Sequence, residues 1–157
     1  MAAKADFSPD EWKSLIAAPS MVGLAISAAS PNGPFGVVKE MFAVGMAMAE
    51  VIQKGSNNPL ISALCEDIKA RATRPEPPAG LRSADQIKQA ALDHLKKVGA
   101  LLKSKAAGDA PGFSVWLNDI GTKVAEASNE GGLFGIGGTR VSDAEKAMLA
   151  DIRGALG

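Results

Sequence analysis

Three times along this 157-residue chain a serine stands three positions ahead of a glutamate or glutamine: Ser8 with Glu11, Ser83 with Gln86 and Ser142 with Glu145. That spacing lets the serine hydroxyl accept from the third backbone N–H of a helix while the longer side chain bonds back to the serine N–H. Two of the helix donors left without partners at every start are thereby satisfied. Pro9 directly after Ser8, and Pro59 after Asn58, add a residue whose missing N–H and fixed φ suit the first helical position. A chain that signals helix starts this often is constrained to an all-helical fold.

The apolar positions agree. After Ser8, Trp12, Leu15 and Ile16 supply one face, and Pro19 is expected to end that segment; a second short helix then runs from Ser20 to about Ala29. Ser30-Pro31-Asn32-Gly33-Pro34 reads as a turn. Phe35 to Lys54 is hydrophobic nearly all the way round, through Val37, Val38, Met41, Phe42, Val44, Met46, Met48, Val51 and Ile52. A helix with so little polar face belongs at the centre of a domain. Gly55 reads as its C-cap. The helix opened by Asn58 carries Ile61, Leu64, Cys65 and Ile68. The helix opened by Ser83 carries Ile87, Ala91, Leu95, Val98 and Leu102 at close to the 3.6-residue period. Gly108-Asp109-Ala110-Pro111-Gly112 breaks the chain again. Phe113, Trp116, Leu117, Ile120, Val124 and Ala127 then mark a helix ending near Gly131, and Met148, Leu149, Ile152 and Leu156 mark the last one. No run alternates apolar and polar over the length of a strand, and there is no internal repeat.

The expected fold class is therefore all-α: a single compact bundle of six or seven helices spanning residues 1–157, with the helix at about 35–54 in its middle. A Pro-rich connector at 73–82, with Pro75, Pro77 and Pro78, separates the N-terminal from the C-terminal helices and reads as a stiff, extended link. Composition supports this. Hydrophobic residues make up 46% and charged residues 22%, while aromatics are only 4% with no tyrosine. Such a core is filled by Ala, Leu, Ile, Val and Met, a mixture that favours helix over sheet.

Charge is zero overall but unevenly spread. Residues 1–68 hold four basic and seven acidic groups, 69–105 nine basic and three acidic, and 106–157 four and seven again. Lys88, Lys96, Lys97 and Lys103 lie off the apolar stripe of their helix. Lysines on a helix can follow phosphates. Neighbours such as Lys96 and Lys97 diverge by about 100°, and few aromatics accompany them, so a solvated face is the expectation and nucleic acid is not an expected partner.

The first dozen residues carry Lys4, Asp6, Asp10 and Glu11, which argues against a secretory signal. No stretch approaches the roughly 18 uncharged apolar residues of a membrane span; the closest run, Met41 to Met48, is bracketed by Lys39, Glu40 and Glu50. The expected location is the cytoplasm. The single cysteine, Cys65, excludes an intramolecular disulfide and fits a reducing compartment.

Chemistry-bearing constellations are few. A carboxylate-bridged di-iron site in a bundle needs two histidines, and this chain has only His94. His94 lies between Ala91 and Val98 at the edge of an apolar stripe, where a hydrogen-bonded packing role is expected. Cys65 lies beside Glu66 and Asp67 on an apolar face; burial and neighbouring acids both oppose a thiolate, so it reads as a small core residue. Glu66 and Asp67 themselves read as solvated surface. With one histidine there is no triad, and no Gly-x-Ser-x-Gly elbow occurs. No metal or cofactor is expected, and no catalytic residue is assigned.

The least ordinary segment is Gly131–Arg140, with Gly131, Gly132, Gly135, Gly137 and Gly138 ahead of a helix start. Phosphate-binding loops occupy such places. However, Gly138 stands where the P-loop lysine would be, and Arg140 occupies the third glycine position of a dinucleotide loop. Three uses stay open for Gly135, Gly137, Gly138, Thr139 and Arg140. One is a tight reversal that plugs Leu133, Phe134 and Ile136 between helices; the others are an anion site and an apolar docking loop. Met41, Met46 and Met48 are the candidate lining of a small-molecule or lipid pocket.

The stretch Val141-Ser142-Asp143-Ala144-Glu145 resembles the Val-Ser-x-x-Glu helix start of tellurite-resistance TerB-like helical proteins. That family places Ala-Asp-Gly before it, where this chain has Gly137-Gly138-Thr139-Arg140, so the acidic residue linked to metal binding there has no counterpart. The resemblance implies a helical stress-response protein. From the residues alone, the expected function is a non-enzymatic helical interaction module that associates with itself as an oligomer or with another protein as partner. The alternative is a small-molecule or lipid-binding helical protein.

Overall fold

A computed structural model describes residues 2–30, 37–71, 80, 83–129 and 141–157. The described residues form six α-helices and no strand: α1 (Pro9–Ala29), α2 (Val37–Lys54), α3 (Pro59–Arg71), α4 (Ala84–Lys105), α5 (Ala110–Asn129) and α6 (Asp143–Leu156), with a single 3-10 turn at Lys4–Asp6 ahead of α1. Pro75, Pro77 and Pro78 of the connector lie outside the described residues, as does the whole of 130–140.

The local signals act as the sequence implies. Capping boxes close the starts of α1, α4 and α6, with Ser8, Ser83 and Ser142 accepting from Glu11, Gln86 and Glu145. Asn58 Oδ1 caps α3, accepting from the amides of Leu60 and Ile61 at 3.1 and 3.3 Å. Gly55 ends α2 with φ +76°, a left-handed conformation only glycine adopts without strain, and its N–H reaches Val51 O at 2.8 Å.

Pro19 does not end a helix. α1 runs unbroken through it for 21 residues. The proline removes one backbone bond and crowds the preceding turn, at about 3 kcal/mol. Ten residues of α1 between Trp12 and Ile26 are buried, and each large apolar side chain sequestered contributes roughly 1.5–3 kcal/mol. Tertiary packing outweighs the local break. Uninterrupted, α1 is long and apolar enough by length and composition to cross a membrane, although 56% of its most apolar stretch is buried inside the bundle.

α1 also takes the central place expected of the helix at 35–54. It packs along α4 and α5 and touches α2, α3 and α6. α2, by contrast, commits Val44 and Ala47 to the core and leaves Phe42 and Met46 in solvent, 70% and 57% exposed. An all-round apolar helix is central only if neighbours cover every side, and α2 is flanked mainly by α5, with α1 and α3 as lesser contacts. The core itself is aliphatic, centred on Leu15, Val22, Ile26, Leu60, Leu64, Leu95, Val98, Leu102, Leu117, Ile120 and Ile152. α4 places Ala91, Leu95, Val98 and Leu102 inside, as its period requires.

Candidate functional site

α2 and α5 lie side by side but do not close over one another. The channel between them has two connected compartments, of about 540 and 240 Å3, which share Ala47, Glu50, Lys54 and Lys123. The larger is walled toward one end by Ala43 and Met46 of α2 and by Glu126 and Ala127 of α5. The smaller is walled by Val51 and Gly55 against Trp116 and Ile120. Small residues at Ala43, Ala47 and Ala49 make the α2 side shallow, so the opening follows from side-chain size.

Charge at the rim is organised by Glu50. Its carboxylate takes Lys54, one turn along α2, at 2.8 Å and Lys123, across the channel on α5, at 2.5 Å. Hydrogen bonds from Lys123 first and Lys54 second, reinforced by their charges, hold the Glu50 carboxyl down at about 2. A depressed carboxylate favours the folded state above its ordinary range and loses that contribution as pH falls through the lowered value. The bridge therefore persists until pH approaches 2. Glu126 and Asp119 add acidic groups to the same walls, so the rim carries both signs.

Trp116 is the residue sequence reasoning passed over. It is 9% exposed, and its indole N–H is buried with no acceptor among the described residues. In the sequence Trp116 was only one more member of an apolar stripe. Nothing local signals that its donor meets no acceptor among the described residues.

The other sequence-derived residues separate. Met46 lines the channel, whereas Met48 packs against the core, half-buried. The Met41 side chain lies outside the described residues. Met46 and Met48 thus fall in different surroundings, as two positions about 200° apart on a helix must. Gly135, Gly137, Gly138, Thr139 and Arg140 lie outside the described residues, as do Leu133, Phe134 and Ile136.

His94 has a packing role. Its Nε2 lies 2.8 Å from Ser14 O; a carbonyl only accepts, so Nε2 carries the proton and the ring donates, tying α4 to α1. Asp67, expected on the solvated surface, is instead half-buried and accepts from Trp12 Nε1 at 2.9 Å and Lys4 Nζ at 2.8 Å. Its neighbour Glu66 is exposed. Of the lysines on α4, Lys88 pairs with Asp85 and Lys105 with Glu11, while Lys96, Lys97 and Lys103 face solvent.

Cys65 is 1% exposed, and burial, with a smaller contribution from Glu66, pushes its thiol up to about 11. At neutral pH roughly one molecule in ten thousand carries the thiolate that reacts. We expect no reaction of native protein with an aromatic disulfide reagent over hours, and stoichiometric reaction once urea unfolds the chain. Labelling of the native protein within minutes would contradict this burial. Among the described residues no group of three or more His, Cys, Asp or Glu is placed to hold a metal ion.

Comparison with family models, curated proteins and solved structures finds no match to this chain.

Proposed function

We propose that this chain is a non-enzymatic helical interaction module, and that its contact surface is the α2–α5 channel with the Phe42–Met46 lip. The observation that carries this reading is the exposure of Phe42 and Met46, 70% and 57%, one helical turn apart on the same face of α2. Large apolar side chains grouped beside a groove are what a partner's surface covers.

The partner that fits is an amphipathic helix of another protein. Small residues line the α2 wall, allowing close approach of a helix, and Phe42 and Met46 supply anchors at the i, i+4 spacing that helix-in-groove recognition uses. The rim offers Glu50, Lys54, Lys123 and Glu126, which suits a helix whose flanks carry charges of both signs. A second reading, a small apolar ligand, draws on the volume of about 540 Å3, within the range of roughly 300–1,000 Å3 that ligand sites occupy. The channel's opening to solvent favours the helix.

A photo-crosslinking residue placed at Met46 tests this, with the same residue at exposed Lys97 on α4 as the comparison. The expected result is a discrete protein adduct from position 46, absent from position 97 and lost when Phe42 is changed to serine. Phe42→Ser should shift stability by less than about 0.5 kcal/mol, as for other exposed positions, so its effect is on contact alone. Light scattering separates a second copy of this chain from a different protein. A strict monomer with no position-46 adduct would overturn the proposal.

A further inference from the structure

The fold treats the two indole N–H groups of this chain differently. Trp12 Nε1 donates to Asp67 at 2.9 Å. Trp116 Nε1, equally a donor only, is buried and meets no acceptor among the described residues. The Trp116 ring is held edge-on by Phe113, with centroids 5.4 Å apart, and forms part of the wall of the smaller compartment of the α2–α5 channel. A buried donor without an acceptor bears its full desolvation penalty. An occupant of the channel that brings an acceptor to this N–H recovers it.

The groups beside the indole decide which acceptor suits it. Asp119 follows Trp116 by three residues, on the same face of α5, and stands exposed at the same wall. Lys54, Lys123 and Glu50 line this compartment too, and both lysines bond to Glu50. Two lysines and two acids balance, so no net charge draws an ion in. A carboxylate would accept from Trp116 but lose its hydration beside Asp119 and Glu50, a heavy cost for a charge. A carboxamide is neutral: its oxygen accepts from the indole and its NH2 group donates to Asp119.

We propose that Trp116 is the specificity-determining residue of the channel, and that the helix bound there seats a glutamine or asparagine side chain on the Trp116 N–H and Asp119. This rests on the channel being a helix-binding surface and names what that helix must carry. The spacing follows from the walls. α5 runs antiparallel to α2 along the channel, since Ala43 and Met46 lie level with Glu126 and Ala127, and Val51 and Gly55 with Trp116 and Ile120. Glu50 and Lys123 bond across it. The steps from Met46 to Glu50 and from Lys123 to Trp116 together span roughly 16 Å at the helical rise per residue. A partner helix covers that distance in about eleven residues, or about three turns, which returns to the same face. Its apolar residues over the Phe42–Met46 lip and its carboxamide over Trp116 therefore lie on one stripe.

Synthetic helix-stapled peptides test this on the full chain. Each carries two leucines one turn apart to cover Phe42 and Met46. The position about eleven residues away, toward either end of the peptide, is glutamine, leucine or glutamate in turn. In one of the two directions the glutamine peptide should bind about tenfold more tightly than its leucine and glutamate counterparts, the gain from answering a buried donor. With isotope-labelled tryptophan, the Trp116 indole proton resonance should move downfield in that complex, while that of Trp12, already bonded to Asp67, stays in place. Replacing Trp116 by benzothienylalanine keeps the shape of the ring and removes the N–H. It should abolish the glutamine preference without making the free protein easier to unfold; if that chain does not fold, the peptide series on the unsubstituted protein decides. Equal binding of the glutamine and leucine peptides with the Trp116 resonance unmoved, or tightest binding by glutamate, overturns this inference and leaves the channel a helix site. Absence of binding by every peptide overturns both readings.

Discussion

Truncating Phe113 to alanine should lower the free energy of unfolding by about 3–5 kcal/mol, the range for buried aromatics in well-packed cores. Phe113 is fully buried and meets Trp116 edge-on, with ring centroids 5.4 Å apart and planes at 75°. That geometry adds about 0.5–1.5 kcal/mol beyond the area buried. The site cannot collapse readily, because the first turn of α5 is tied down. The Phe113 amide bonds Asp109 O at 3.0 Å, Asn58 Nδ2 bonds the same oxygen at 2.9 Å, and Gly112 lies against the Asn58 side chain. In a chain with so few aromatics there is also little neighbouring ring surface to slide into the gap. At roughly 2–4 °C per kcal/mol for a chain this long, the midpoint should fall by about 6–20 °C. Phe113→Leu, which retains most of the volume, should lose less than half as much. Urea unfolding at constant slope measures both, and a loss under about 1 kcal/mol for the alanine variant would show that the first turn of α5 is not held as described.

Gly99→Val should detach α6 from α4, with a loss of about 2–4 kcal/mol, at and slightly above the usual range for overpacking. A Cβ at Gly99 would lie 2.8 Å from Leu156 O and 3.0 Å from Ala155 O. These are backbone atoms in the last turn of α6 and cannot swing aside as a side-chain tip would. Glycine inside a helix is normally destabilising by about 0.5–1 kcal/mol relative to alanine, so even Gly99→Ala would gain stability if propensity decided. Here contact decides, and Gly99→Ala should also destabilise. Gly45 in α2 is the internal control, since a Cβ there meets nothing within 4 Å. Gly45→Ala should stabilise by up to about 1 kcal/mol. Opposite signs at two helical glycines, read by the same unfolding experiment, distinguish close approach from propensity. Hydrogen exchange should additionally show the amides around Ile152 losing protection in Gly99→Val before those of α1. Equal and favourable effects at both sites would contradict the packing of α6 on α4.

The contrast between these glycines separates what is local from what is tertiary in this protein. Helix existence is local. A serine hydroxyl and a glutamate three residues on bond within one turn, so Ser8–Glu11, Ser83–Gln86 and Ser142–Glu145 announce their helices before any packing occurs, as do Asn58-Pro59 and Gly55. The α4 stripe is equally legible, because a 3.6-residue period specifies one inward face wherever the partner lies. Cys65 and His94 were readable as packing residues for the same reason: each sits on or beside an apolar face.

Which helix is central, and where a partner could bind, is not local. Pro19 carries a real penalty, but whether a helix passes through it depends on how much of α1 is buried by α4 and α5. α2 reads in the sequence as apolar nearly all the way round, yet Phe42 and Met46 are exposed because no described helix covers that side. Asp67 looks like solvated surface until folding brings Trp12 and Lys4 to it, and Glu50 becomes a bridge only when α5 brings Lys123 across the channel. Trp116 gives no local sign of an unanswered N–H, and Asp109 none of its contact with Ala2, residues 107 positions apart. By itself the sequence determined that this chain is helical and which face of α4 turns inward, because those depend on neighbours within a turn or two. The order of the helices in the bundle, the channel beside α2 and the buried amino-terminal contact were decided only by the tertiary structure, because each depends on what a distant element does or does not cover.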